Sequence, residues 1–201
     1  SPQQHMGVVH SSNLCTEITL NTSEEEIAVC NLGSINVGNF ILEHPKGNGF
    51  DFRRFEETIE TCVRFLDNVV DANRHPTEFT QLMNTSTRKI GLGIMGWANL
   101  LVRLDIPYNS EEALALARAI GDVLKNSADT ASSKLAEHKG SFPAFEDSPL
   151  NKDKGGQWGS MRNAWRLSIA PTGTISMIAN CSSGIEPHFA LSYKKHKKHN
   201  R

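Results

Sequence analysis

The sequence predicts an α/β fold, and three observations carry that prediction. Apolar residues recur at helical spacing in two long stretches, one after Asp51 and one after Ser110. Short β-leaning runs, Ile27-Ala28-Val29-Cys30 and Arg166-Leu167-Ser168-Ile169-Ala170, lie on either side of those stretches. Length and composition, 201 residues with 38% hydrophobic content, are enough for one compact domain with a core. Helices separating short strands favour the α/β class over all-α or all-β.

Taken in order, residues 1–40 read as loops and short strands, with Gly33, Gly38 and Asn39 as punctuation. The stretch from His44 to Gly49, with Pro45 and Gly47, reads as a surface loop. Asp51 is a good N-cap for an amphipathic helix that ends near Arg74, before Pro76. Its apolar stripe is Phe52, Phe55, Ile59, Cys62, Leu66 and Val69. Cys62 on that stripe reads as a small hydrophobe without chemistry. Glycines 91, 93 and 96 match G-x-G-x-x-G literally. A dinucleotide loop needs a preceding strand, and polar residues from Asn84 to Lys89 stand there instead. The reading adopted is that small residues permit close packing before a helix from Trp97 to Leu104. Ser110 caps a long helix from Glu111 to about His138, closed by Gly140. Leu114, Ala117, Ile120, Val123, Leu124 and Ala128 are its expected buried face. Residues 141–160 read as loop, 166–170 as a strand, and Met177 to Asn180 as a short helix.

The net charge of -1 gives no electrostatic case for a nucleic-acid partner. No apolar run approaches the length of a membrane span. The first residues, Ser1 to Met6, have neither a basic start nor an apolar stretch, so no signal peptide is read there. A chain that does not begin with Met suggests a fragment or a processed product. Cys15, Cys30, Cys62 and Cys181 form no CxxC pair, and a chain of this size does not need disulfide staples, so free or catalytic thiols in the cytoplasm are expected. His188, His196 and His199 near Cys181 lack zinc-site spacing, and no metal site is assigned. The basic end, 193–201, reads as a short solvated tail.

Two stretches carry chemistry. If Asn13-Leu14-Cys15-Thr16-Glu17-Ile18 is extended, Asn13, Cys15 and Glu17 share one face. A thiol flanked by an amide and a carboxylate can do redox or nucleophilic work, the carboxylate accepting a proton and the amide holding a hydroxyl. The other reading is a polar edge strand with an ordinary cysteine, which spacing alone favours. In Pro171-Thr172-Gly173-Thr174-Ile175-Ser176 a strand ends, small and hydroxylated residues follow, and a helix can begin. Backbone N–H groups at a helix start suit phosphate, and Gly173 permits close approach. There is no Lys within it, so it is not a Walker A loop. An ordinary capped strand-to-helix turn explains the same residues equally well.

At this point the sequence resembles a family. Asn13 to Ile18 is similar to the N-L-C-x-E finger-loop motif of ribonucleotide reductases. Ile27-Ala28-Val29-Cys30-Asn31-Leu32-Gly33-Ser34 resembles the segment of their second active-site cysteine. Arg88 to Gly93, then Gly96 and Ile106-Pro107-Tyr108, resembles a further landmark. Pro171 to Ser176 and Ser183-Gly184-Ile185-Glu186-Pro187 resemble the phosphate loop and the stretch behind it. The matches fall in the family's order and cover most of the chain.

The resemblance implies that residues 1–201 are about the second half of a ten-stranded α/β barrel, with a finger loop near 11–18 and a phosphate loop near 171–176. It implies reduction of ribonucleotides for deoxyribonucleotide and DNA synthesis. Cys15 would be the transient thiyl radical that takes the ribose 3′-hydrogen, Glu17 the base on the 3′-hydroxyl, and Asn13 a hydrogen-bond partner of the ribose hydroxyls. Cys30 would be one of two thiols that become a disulfide. Pro171, Thr172, Gly173, Thr174, Ile175 and Ser176 would bind the substrate phosphates. The phosphate loop with Ser182-Ser183-Gly184-Ile185-Glu186-Pro187 looks most like the adenosylcobalamin-dependent class; the alternative is a class that takes its radical from a separate metal-containing subunit. Expected partners are the ribonucleotide, the remaining part of the catalytic subunit and a thioredoxin-like reductant. The partner of Cys30, the C-terminal cysteine pair and the N-terminal effector region of the family have no match in this chain. A second hypothesis is therefore a non-catalytic half-subunit that binds nucleotide phosphate or pairs with another chain.

Overall fold

The computed structural model describes residues 5–45, 47–190 and 192. The basic tail 193–201, with His196 and His199, lies outside the described residues, as do the first four. Residues 5–30 contain neither helix nor strand. The elements that follow are β1 (Asn31–Asn36), a small hairpin of β2 (Ile41–Leu42) and β3 (Gly49–Phe50), α1 (Phe52–Ala72), α2 (Glu78–Thr87), β4 (Ile90–Met95), α3 (Trp97–Leu104), α4 (Glu111–Lys139) and α5 (Ile175–Ile178).

The α/β expectation holds in its coarse form. β1 and β4 pair in parallel, from Asn31 opposite Ile90 to Asn36 opposite Met95. Residues 165–168 run along the other edge of β4: Ile90 N donates to Trp165 O at 3.0 Å, Leu92 N to Arg166 O at 2.8 Å, and Ser168 N to Leu92 O at 3.1 Å. β4 is therefore central, and all six of its residues are buried, as expected for a parallel strand covered on both faces. Parallel neighbours need crossover connections, which α1 and α2 supply before β4 and α3 and α4 after it.

Alternation on β4 separates two faces. Ile90, Leu92 and Ile94 join Phe55, Ile59, Val63 and Leu66 of α1 and Ile120, Leu124 and Ala128 of α4 in the main core. Gly91 and Gly93 face the other way. A methyl on Gly91 would lie 2.5 Å from Leu32 Cδ2 and 2.9 Å from Ser168 Cβ, and one on Gly93 would overlap the Ser168 carbonyl. The close-packing reading of the glycines thus holds, but they lie inside a strand rather than in a turn before a helix.

Several elements differ from expectation. The predicted β-run 27–30 ends where β1 begins. The buried stripe of α1 is Phe55, Ile59, Val63, Leu66 and Val70, with Cys62 only partly buried at its margin. Leu114, 48% exposed, and Ala117 do not join the buried face of α4. That face continues instead through Ala131 and Leu135. α2 was missed; Thr77 starts it with a capping box in which its hydroxyl accepts from Thr80 N at 3.2 Å. α5 begins at Ile175, within the stretch read as loop, rather than at Met177.

A buried ionic cluster fixes the start of β4. Asp67 is fully buried on α1. It accepts from Arg88 Nε at 3.0 Å, Lys139 Nζ at 3.2 Å, Arg162 Nε at 3.2 Å and Asn163 Nδ2 at 3.1 Å. Burial alone would push the Asp67 carboxyl up, but the Arg88 and Arg162 guanidiniums and the hydrogen bonds from Arg88 and Lys139 hold it below the usual carboxylate range.

Candidate active site

The face of β4 that carries Gly91 and Gly93 is covered by the N-terminal stretch. Ile18, Leu20 and Asn21 are buried against the body of the protein. Ser168 Oγ donates to Glu17 O at 3.1 Å, which ties the turn around Cys15 to the third strand. Cys30 Sγ lies 3.2 Å from where a Cβ on Gly91 would be. Missing side chains on β4 thus make the room that the thiol and the turn occupy.

The turn is not extended, and the expected alternation of Asn13, Cys15 and Glu17 fails. Thr16 has a left-handed backbone with φ 61°. Thr16 N donates to Asn13 O at 3.0 Å, and Asn13 Oδ1 accepts from Ile18 N at 3.1 Å. The Asn13 side-chain oxygen is therefore used in closing the turn. Cys15 stands exposed on it, and Leu14 beside it is 98% exposed. Glu17 is half-buried, and its Oε2 is buried without a hydrogen-bond partner. An unpaired buried acceptor is costly, so it marks a place where a donor is expected.

Cys30 is half-buried and free, as are the other three cysteines. Burial pushes its thiol up to about 12, Lys89 pulls it down, and Glu17 pushes it further up. It is a protonated thiol at neutral pH. Cys62 and Cys181 are also raised, each by burial alone.

Sequence reasoning missed Lys89, Asn21 and Ser168. Lys89 is fully buried, and its Nζ donates to Asn21 Oδ1 at 3.1 Å. Lysine is rarely interior, so nothing in composition marks it. The available signal was its place two residues before Gly91, on the same face of a strand.

The stretch 171–176 lies beyond the third strand. Thr172, left-handed at φ 55°, accepts from Gly184 N through its hydroxyl at 2.7 Å. Ser176 Oγ and Ser183 Oγ are 3.0 Å apart. Two of the three hydroxyls expected to face a ligand thus hold the stretch 183–184 in place; Thr174 is exposed. A Cβ on Gly173 would meet nothing within 4 Å. It opens to a cleft of about 440 Å³ that Ser176, Cys181, Ser183, Glu186 and His188 also line. Gly96 N donates to Ser182 O at 2.9 Å and Tyr108 Oη to Ile185 O at 2.7 Å, so the cleft wall is fastened to both ends of α3. Two expected sets, Glu17 with Cys30 and 171–176 with 183–187, are thus each brought together.

No helix among the described residues is long and apolar enough to cross a membrane, and no group of three His, Cys, Asp or Glu among them forms a metal site.

Comparison with known proteins follows the same outline. The vitamin B12-dependent ribonucleoside-diphosphate reductase of Thermoplasma acidophilum is 44% identical over 98% of this chain, and that of Mycobacterium tuberculosis (strain H37Rv) is 43% identical over 97%. The ribonucleoside-diphosphate reductase subunit alpha of Chlamydia pneumoniae is 37% identical over 97%. The chain spans 24%, 26% and 22% of those proteins, about a quarter of their length. The structure of the Actinobacillus ureae class Id ribonucleotide reductase alpha subunit superposes with a TM-score of 0.74 at 29% identity, over 92% of this chain and 33% of that one. The sequence profile of the ribonucleotide reductase barrel domain matches residues 1–201, and the chain belongs to that family.

Proposed function

We propose that the chain is part of a catalytic subunit that reduces ribonucleotides to deoxyribonucleotides by a thiyl-radical route. On this reading residues 1–201 are a portion of a ten-stranded barrel, 11–18 its finger loop and 171–176 its phosphate loop. The observation that carries the proposal is the unpartnered Glu17 Oε2, on a turn that also exposes Cys15 and lies against the face holding Cys30.

Each residue then has a role its surroundings support. The Cys15 sulfur takes the 3′-hydrogen of the ribose. Glu17 Oε2 accepts the 3′-hydroxyl proton. Asn13, whose oxygen is bound to Ile18 N, acts through its NH2 group as a donor to the ribose hydroxyls or the intermediate. Cys30, protonated at neutral pH, gives up hydrogen as it joins a second cysteine of the complete subunit in a disulfide, which supplies two electrons. The phosphates rest on the 171–176 backbone at Gly173 and on the Thr174 hydroxyl; α5, only four residues long, adds little dipole.

The radical comes from outside these residues. Adenosylcobalamin is proposed because two relatives carry vitamin B12 dependence in their names. It would supply the radical that reaches Cys15. The exposed Cys15 fits such delivery, and no residue here is assigned to hold the cofactor. The alternative source is a separate metal-containing subunit. The remaining part of the subunit, a thioredoxin-like dithiol and a cytoplasmic setting complete the proposal. The second hypothesis, a half-subunit that only binds nucleotide phosphate, predicts no turnover with the complementary half.

The test is substitution in the complete enzyme. Cys15→Ser abolishes 3′-hydrogen abstraction, whereas Cys30→Ser permits radical chemistry on the substrate but blocks normal reduction. Deoxynucleotide formation by the Cys15→Ser enzyme refutes the assignment.

A further inference from the structure

Arg88 and Lys89 are the two buried cations among the described residues, and their surroundings differ. Arg88 is paired with Asp67 and Asp71 at 2.9 and 2.7 Å. Lys89 has one hydrogen bond, to the neutral Asn21 side chain, and no ion pair. A buried ammonium with three donors and no carboxylate partner is costly to the fold, and such groups concentrate where a charge is used.

The register says where this charge sits. β1 and β4 pair with Asn31 opposite Ile90. Carried back by one residue, the same register sets Cys30 beside Lys89. Both lie on the inner face, because Leu32 and Gly91, two residues on in each strand, meet there. Asn31 Nδ2 donates to Lys89 O at 3.3 Å, which holds the two strand starts together. The other charged groups that act here are Glu17, from the turn above Cys30, and Glu26, whose carboxylate is 3.5 Å from Asn21 Nδ2.

From this juxtaposition we infer that Lys89 is a positioning residue for the redox half of the reaction: its ammonium stabilises the thiolate that Cys30 becomes when its disulfide is re-reduced. The inference rests on the reading of Cys30 as a redox cysteine. In that step a thiolate of an external dithiol attacks the sulfur of the second cysteine. The S–S bond breaks, and its electron pair leaves on Cys30. A mixed disulfide forms, and the reductant's second thiol then displaces the second cysteine. The dithiol loses two electrons and becomes a disulfide; each cysteine finally takes one proton. A thiolate leaving group is disfavoured in a buried site, and lowering its basicity speeds its departure. Lys89 is the cation placed to do this.

Burial lowers the Lys89 ammonium to about 8, against the raising effects of Cys30 and Glu26. This gives a signature that a structural lysine would lack. In the complete native enzyme, the rate of Cys30 alkylation by iodoacetamide, followed by peptide mass mapping, rises with pH and then levels near pH 8, where Lys89 loses its proton. In Lys89→Met the bend disappears. At neutral pH both alkylation and disulfide reduction by dithiothreitol slow by about tenfold, the equivalent of one pKa unit. A native profile that rises through this range without a bend overturns the inference, and this holds even if the Met variant fails to fold. An unchanged profile in a folded Lys89→Met enzyme overturns it equally. Normal reduction by Cys30→Ser would instead refute the underlying reading of Cys30, a distinct result.

Discussion

Gly93→Ala tests whether the contact between β4 and the third strand sets the geometry of the site. The added methyl would overlap the Ser168 carbonyl oxygen and stand 3.1 Å from its carbon and 3.3 Å from Ile169 Cα. These are backbone atoms, so no rotamer change relieves the overlap. The third strand must retreat by on the order of 1 Å, with an overpacking cost of about 1–3 kcal/mol. Because Ser168 Oγ also holds Glu17 O, the retreat moves the turn that carries Cys15. A displacement of this size costs about 100-fold in rate when reacting groups are involved. The assay is thermal unfolding of the complete enzyme together with kcat/KM for a ribonucleotide. Gly121→Ala is the control: it lies in α4 with nothing within 4 Å of its would-be Cβ, and should be neutral or stabilising by up to about 1 kcal/mol. A Gly93→Ala enzyme with native Tm and native kcat/KM refutes the reasoning.

Asp67→Asn removes the charge facing Arg88, Arg162 and Lys139, and should cost about 3–5 kcal/mol in chemical unfolding of the complete protein. Since the folded Asp67 carboxyl is depressed, its stabilisation is present above the unfolded carboxylate pKa and is lost as pH falls through the folded value; the Asn variant should lose less stability on acidification. Gly173→Val should fold normally, because its Cβ position is open, yet weaken substrate binding measured by equilibrium dialysis. Thr174→Ala should cost less, about 1.5–3 kcal/mol for one hydrogen bond to a charged group, since backbone donors remain.

The long helices were legible because caps and periodicity agree. Asp51 and Ser110 accept from the third helical amide in each case, Arg54 N at 3.0 Å and Ala113 N at 3.1 Å. The stripe of α1 was misplaced because Val63 and Val70 were passed over for Cys62 and Val69, neighbours that a one-residue rotation exchanges. Leu114 was assigned to the core from its type alone, yet it lines an open groove with Trp97, Ile169 and Ile185. β4 was hidden by its glycines, which argue against a strand locally and are required by packing against Ser168. α2 is rich in Thr, Ser and Asn, poor helix formers, and its capping box uses a second Thr in place of Glu or Gln. The turn at 13–18 could not be read because it depends on one left-handed Thr and on Asn13 serving as its own chain's acceptor. The two chemical stretches were found through resemblance; the residues that connect them, Ser168 and Lys89, needed the fold.

The hydroxyl of Ser168 fastens the loop bearing the reactive sulfur, and three residues later the same chain reaches Pro171, where the phosphate-binding stretch begins. On the proposed reading, the sulfur and the phosphate anchor are therefore two marks on one short, extended rod, about 3.3 Å apart per residue. A rod of this kind gauges length. A nucleotide whose phosphate tail matches it brings its sugar to the sulfur, and one with a shorter or longer tail stops short or overshoots. Discrimination among phosphorylation states would then be a property of the span between two points of backbone, independent of any contact with the base.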